Sequence, residues 1–168
     1  MTLLPLAIAL AVDAHGTAMN KDGTPYILHP LRLMLQAQTE QEQIVAVLHD
    51  TLEDTDLTPE RIIAAGKAVS PTGFTSDILD ALDCLTKRAE EKDDYEAFIR
   101  RIATNPLAIR VKLLDLVGKC ADEYDNIDVT RLPEIGDWEL KRTAKYHRAI
   151  LFLKEELRVA NREWTWAA

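Results

Sequence analysis

Cysteine is nearly missing from this chain: Cys84 and Cys120 are the only two among 168 residues. They form neither a CxxC pair nor a disulfide framework. That excludes a thiolate ribbon or a stapled extracellular scaffold and fits a reducing, cytoplasmic location. Basic residues are also in deficit. Twenty Lys and Arg face 28 Asp and Glu, for a net charge of −8. A nucleic-acid polymer is therefore not an expected partner, since neutralising a phosphate backbone needs a basic surface. A small phosphorylated ligand stays open, because one metal ion and a few lysines or arginines supply local positive charge. No apolar run reaches the ~20 residues of a membrane span. The opening MTLLPLAIALAV lacks a basic n-region and passes straight into Asp13-Ala14-His15. It reads as a core helix starting at Pro5 rather than a signal peptide. GxGxxG and Walker loops are absent, as is any useful β-alternation.

What remains is helical periodicity, in a chain of one-domain length. A first helix is expected over Pro5 to Gly16, then a polar loop, Thr17 to Thr24. A second helix starts near Pro25 or His29. Thr39 and Glu42 have capping-box spacing before a third. Thr58-Pro59-Glu60 opens another, with Thr58 as N-cap. Gly66 to Gly73 reads as a loop. Helices follow at Ser76 to Arg88 and Asp94 to Ala103, with Glu90 to Asp94 a solvated connector or, alternatively, a lid. Asn105-Pro106 caps a helix running into the Asp115–Asp125 region, Arg131-Leu132-Pro133 breaks it, and the last runs from Asp137 to Val159. His147 reads as a surface or interface residue. The expected fold is a single-domain all-α bundle over 1–160, with 161–168 as a tail carrying Trp164 and Trp166.

The densest chemistry lies in AVLHDTLEDT, where His49, Asp50, Glu53 and Asp54 fall within six positions. On one continuous helix, His49 would stack over Glu53 and Asp50 over Asp54. Ile44, Val45, Val47, Leu48 and Leu52 make that helix apolar nearly all round, so it is expected to be buried. Three buried anions are costly without a cation, and a divalent metal is the simplest remedy. His15, at the end of the first helix, and Asp115, a lone acid in RVKLLD, are further candidate ligands. Each alone is explained as well by a helix cap or a backbone hydrogen bond. Imidazole with carboxylate suits Mn, Fe or Zn, whereas Mg and Ca prefer oxygen alone.

These segments together resemble a known family. Ala14-His15-Gly16, then Lys21-Asp22-Gly23-Thr24-Pro25-Tyr26-Ile27-Leu28-His29-Pro30, then His49-Asp50-Thr51-Leu52-Glu53-Asp54-Thr55, Leu85-Thr86-Lys87 and Val111-Lys112-Leu113-Leu114-Asp115 resemble the HD-domain superfamily. Within it they are most similar to the hydrolase domain of the Rel/SpoT enzymes and the small alarmone hydrolases, over roughly residues 5 to 155. The resemblance implies a helical-bundle phosphohydrolase with a metal, usually manganese, held by His15, His49, Asp50 and a later Asp. Glu53 and Asp54 would orient or deprotonate the attacking water, with Lys21 and His29 on the phosphate side. The reaction implied is removal of pyrophosphate from the 3′ position of guanosine tetra- or pentaphosphate, without a synthetase domain.

The chain departs from that pattern twice. Asn20 stands where the family usually carries an arginine that holds the nucleobase, which opens the substrate to other phosphorylated nucleotides. The late aspartate segment also occurs twice: Asp122, with Asn126 four places on, repeats the surroundings of Asp115. The two acids lie about two helical turns and about 10 Å apart, so one of them takes the ligand position. Asp115 is preferred for its apolar neighbours, and Lys119 then stands where the family places its ribose-contacting Asn. If Asp122 is the ligand, Asn126 is that contact. Arg131 either neutralises phosphate or caps the preceding helix. The expected function is a metal-dependent (p)ppGpp-type pyrophosphohydrolase. Its rivals are a phosphatase for another nucleotide, NADPH-like, and a non-catalytic nucleotide-binding or interaction module. The oligomeric state is left open, a homodimer included.

Overall fold

The computed structural model describes residues 2–20, 23–126 and 137–160; within these, 119–126 and 137–140 are described as helical backbone without their side-chain environment. The described elements are α1 (Leu4–His15), α2 (Leu28–Gln36), α3 (Glu40–Leu48), α4 (Thr51–Asp54), α5 (Pro59–Val69), α6 (Ser76–Leu85), a 3₁₀ turn (Ala89–Glu91), α7 (Tyr95–Ile102), α8 (Pro106–Asn126) and α9 (Asp137–Ala160). The described residues contain no β-strand; one isolated bridge pairs Met19 with Pro25. None of the described helices is long and apolar enough to cross a membrane.

Local chemistry sets the helix starts. The Thr39 hydroxyl accepts the Glu42 N–H at 3.2 Å, and that of Thr58 accepts the Arg61 N–H at 3.4 Å, with Pro59 in the first helical position. Asp94 caps α7 through the Ala97 N–H at 2.8 Å. Asn105 Oδ1 takes the N–H groups of Leu107 and Ala108, each at 3.0 Å. Glu42 does not complete a capping box. Its Oε2 accepts the Gln38 N–H at 2.9 Å, and Oε1 lies 2.8 Å from Arg110 Nε on α8.

α3 is the central element. Ile44 to Leu48 are all buried, and the helix packs against α1, α2, α6 and α8. Each such fully buried aliphatic side chain contributes about 1.5–3 kcal/mol relative to exposure. α9 closes the bundle over α8 and α7 through Ala149, Ile150, Leu153 and Leu157.

Three expectations are corrected here. First, the acidic helix is not continuous. α3 ends at Leu48, His49 and Asp50 form a turn, and α4 is a separate four-residue helix. The Thr51 hydroxyl donates to the Leu48 carbonyl at 2.7 Å and takes the place of the next helical bond. Glu53 and Asp54 are consequently exposed, not buried. Second, Gly66 lies inside α5 rather than in a loop. A Cβ there would stand 2.8 Å from Phe74 Cδ2 and 3.0 Å from the Phe74 nitrogen, so glycine is needed for close approach. Third, the Glu90–Asp94 connector is not simply solvated. Glu91 is buried and paired with Arg101, Nη2 to Oε2 at 2.7 Å.

Gly66→Ala is expected to lower stability by roughly 1–3 kcal/mol through overpacking against Phe74, measured by denaturant unfolding at unchanged m-value. Hydrogen bonding from Arg101 holds the Glu91 carboxyl down at about 2, against an ordinary 4.5. A depressed carboxyl stabilises the fold above its unfolded value, and that contribution is lost as pH falls through the folded one. The stability difference between wild type and Glu91→Gln, on the order of 2–3 kcal/mol, should be full at neutral pH. It should shrink from pH 4.5 towards about 2. A difference independent of pH over that window would rule this pair out as an acid-sensitive element.

Candidate metal centre

The turn between α3 and α4 presents the first imidazole. His49 is buried, and its Nδ1–H donates to the Ala46 carbonyl at 2.8 Å, which leaves Nε2 as the lone-pair nitrogen. That Nε2 lies 2.9 Å from Asp50 Oδ2. Two lone pairs at this distance call for a proton or a metal ion shared between them. His29, in the first turn of α2, brings its Nε2 to 3.3 Å from Asp115 Oδ1 and 3.9 Å from Asp50 Oδ2. The nitrogen is buried and has no hydrogen-bond partner.

Asp115 arrives from α8 and has no exposed surface. Its Oδ2 accepts Lys112 Nζ at 2.8 Å, one turn back on the same helix, which directs Oδ1 toward His29. Lys112 in turn lies 5.3 Å over the Phe98 ring. Ligand-type atoms of His29, His49 and Asp115 all fall within 4.8 Å of one another. Two imidazoles and a carboxylate, with Asp50 beside them, are the donor set of a borderline divalent ion. Three features make the residues fit such an ion: the buried His29 Nε2 without a hydrogen-bond partner, the tautomer imposed on His49, and the Lys112 bond that orients Asp115.

Next to this cluster is a cavity of about 610 Å³ lined by Ala14, His15, Ala18, Tyr26, Glu53, Asp54, Thr55 and Asp56. His15 is buried at its wall. Desolvation pulls its pKa below 6.5 despite the nearby Asp50 and Asp54, so the ring is neutral at pH 7. Tyr26 stands between the two histidines, with ring centroids 4.9 Å from His15 and 6.0 Å from His29. Its hydroxyl donates to Asp50 in a short hydrogen bond and lies 3.5 Å from Asp54 Oδ2. Burial, reinforced by Asp50, raises the phenol well above its usual range, so it stays a donor. Glu53 Oε2 accepts the backbone N–H of Lys87 at 3.1 Å.

Several sequence candidates therefore meet. His29, expected on the phosphate side, stands inside the ligand cluster. His15, expected on the metal, lines the adjoining cavity, and its buried Nε2, like that of His29, has no hydrogen-bond partner. Asn20 is engaged within its own loop, donating to Thr24 Oγ1 at 3.0 Å. Lys21 and Arg131, and the side chains of Lys119, Cys120, Asp122 and Asn126, lie outside the described residues, as does the 161–168 tail. His147 is exposed. Tyr26 and Lys112 are the residues for which the sequence alone suggests no role. Their signal was present in PYILHP and in the three-residue spacing of VKLLD, which puts Lys112 on the face of Asp115.

No protein-family model matches the chain. It is 33% identical over 159 residues to a guanosine-3′,5′-bis(diphosphate) 3′-pyrophosphohydrolase of Aquifex aeolicus, covering 80% of this chain and 22% of that protein. It is 31% identical over 122 residues to the Brucella ovis GTP pyrophosphokinase rsh, covering 67% and 16%. A Vibrio cholerae protein named like the first is 28% identical over 111 residues, covering 63% and 16%. The chain thus spans about a fifth of the length of these relatives. A solved structure of a metazoan ortholog of SpoT, described as hydrolysing ppGpp, shares the fold with TM-score 0.68 at 16% identity, over 97% of this chain and 96% of that one.

Manganese at about 100 times its Kd should stabilise the protein by about 2.7 kcal/mol, because only the folded state brings these ligands together. In thermal-shift titrations, each variant compared with its own metal-free form, His29→Ala, His49→Ala and Asp115→Asn should lose that gain. His15→Ala should retain it. The reverse pattern for the two histidines would place the ion at the cavity wall instead.

Proposed function

The chain is homologous to Rel/SpoT HD-type hydrolase domains, and from that premise we propose that it is a metal-dependent phosphohydrolase. Its proposed reaction is hydrolysis at the 3′-pyrophosphate of a guanosine tetra- or pentaphosphate. The observation that carries this reading is the adjacency of the His29–His49–Asp115 cluster to a cavity edged by Glu53 and Asp54. His29, His49, Asp50 and Asp115 would hold the ion, with manganese favoured among manganese, iron and zinc. A divalent ion there supplies Lewis acidity toward a phosphoryl oxygen and lowers the pKa of water.

The chain's own groups divide the remaining work. Lys112 neutralises one oxygen of Asp115 and holds the other toward the cluster. Tyr26 donates to Asp50 and approaches Asp54, tying the cluster to the cavity wall. Glu53, with Oε2 engaged by Lys87 N–H, presents Oε1 as the acceptor for the proton of the attacking water. Neutral His15 offers a polar wall without adding positive charge. Lys21 and Arg131 are the cations proposed to meet the phosphates.

A second substrate reading is favoured by one observation: the Asn20 amide is engaged by Thr24 rather than offered to a base. Another phosphorylated nucleotide, such as NADPH, is the alternative. The non-catalytic module differs from both in expecting metal binding without turnover.

A nucleotide panel with manganese separates the three. Release of pyrophosphate from guanosine tetraphosphate is expected, and Glu53→Gln should lower it roughly 10²–10⁴-fold while keeping the manganese thermal shift. Monophosphate release from NADPH alone would favour the second reading. Manganese binding with no turnover of any nucleotide would refute the enzyme.

A further inference from the structure

Arg101, in the last turn of α7, lies outside the cluster and the cavity lining, yet four short bonds surround it. Nε donates to Glu91 Oε1 and Nη2 to Glu91 Oε2, each at 2.7 Å. Nη1 donates to the Asp83 carbonyl and Nη2 also to the Thr86 carbonyl, each at 2.8 Å. Glu91 closes the knot by accepting the Arg88 N–H at 2.9 Å. Part of this is structural, because Asp83 in the last turn of α6 and its C-cap residue Thr86 present carbonyls at the end of the helical ladder.

Thr86 carries more than that. Its carbonyl and the Lys87 N–H are the two ends of one peptide group, and the Lys87 N–H is the group that donates to Glu53 Oε2 at 3.1 Å. A trans peptide points these ends in opposite directions. The 86–87 amide is thus held between a guanidinium on one side and the Glu53 carboxylate on the other. A cation at the carbonyl polarises the amide and strengthens its N–H as a donor. The Lys87 side chain is itself pinned, Nζ to the Lys92 carbonyl at 3.0 Å, so the segment has little freedom to turn away. Glu53 needs such an anchor: it is exposed and rides on a helix of four residues.

We propose that Arg101 is a positioning residue for Glu53, acting through the 86–87 peptide group. The proposal rests on the role given to Glu53 above. Lysine cannot replace the arginine here, since a single ammonium does not span Glu91 and two carbonyls at once. Arg101→Lys should therefore preserve the charge and lose the alignment.

The test uses the full chain loaded with manganese, in two arms. In ¹⁵N–¹H spectra the Lys87 amide proton should move upfield in Arg101→Lys, and likewise in Glu53→Ala, with faster hydrogen exchange in both. In turnover, Arg101→Lys should lower kcat on the order of 10–100-fold, with KM and the manganese thermal shift unchanged. An unmoved Lys87 amide in either variant overturns the proposal, as does an unchanged kcat. So does an equal loss in KM, because a general loosening of the fold would produce it. If the wild-type chain hydrolyses no nucleotide, the functional reading fails, and the amide arm still decides whether the Arg101–peptide–Glu53 linkage exists. If Arg101→Lys does not fold, Arg101→Gln takes its place in both arms with the same expected and overturning outcomes, and Glu53→Ala reports the Lys87–Glu53 half of the linkage.

Discussion

A carboxylate with no solvent exposure sits among the helices of this protein, and the site is organised around its charge. Among the described contacts Asp115 meets Lys112 and His29, and a buried anion is costly without such partners. Lys112 takes one oxygen and is itself steadied over Phe98. The other oxygen faces His29 Nε2, with His49 in the same cluster. This gathering of imidazole and carboxylate groups suits a divalent ion. α2, α3 and α8 converge there, so the bundle's geometry and the ion's requirements are one constraint.

Helix boundaries were legible in the sequence wherever capping chemistry marked them. Thr39, Thr58 and Asn105 each cap the helix expected of them, and Asp94, expected as the start of α7, caps it as well. The misreadings share a cause: they concern residues whose state depends on a distant partner. Gly66 looks like a loop former until Phe74 is packed against it. Glu91 looks solvated until Arg101 arrives from the next helix. The acidic segment looks like one helix because the interruption rests on a single threonine hydroxyl, which periodicity does not register.

The site was legible as a set of residue types and less so as a set of roles. His15 and His29 both lie at helix ends, and spacing does not say which ring turns toward the bundle axis. α1 brings its histidine to the cavity wall, and α2 carries the other inward past Tyr26. Asp115 meets the cluster, while the environment of the Asp122 side chain falls outside the described residues. The partner that anchors Glu53 is a backbone amide, which leaves no trace in side-chain identity.

The turn at His49–Asp50 has a consequence for how such a site can diverge. It divides the proposed chemistry between two mechanical units: a core helix followed by His49, and a short outer helix carrying Glu53 and Asp54. On the outer unit Glu53 and Asp54 are exposed, whereas Thr51 is buried and Leu52 packs against the core. Substitutions on the inner unit disturb the whole hydrophobic interior. Changes at Glu53 and Asp54 can therefore alter the rim of the cavity while the interior packing of α3 stays in place.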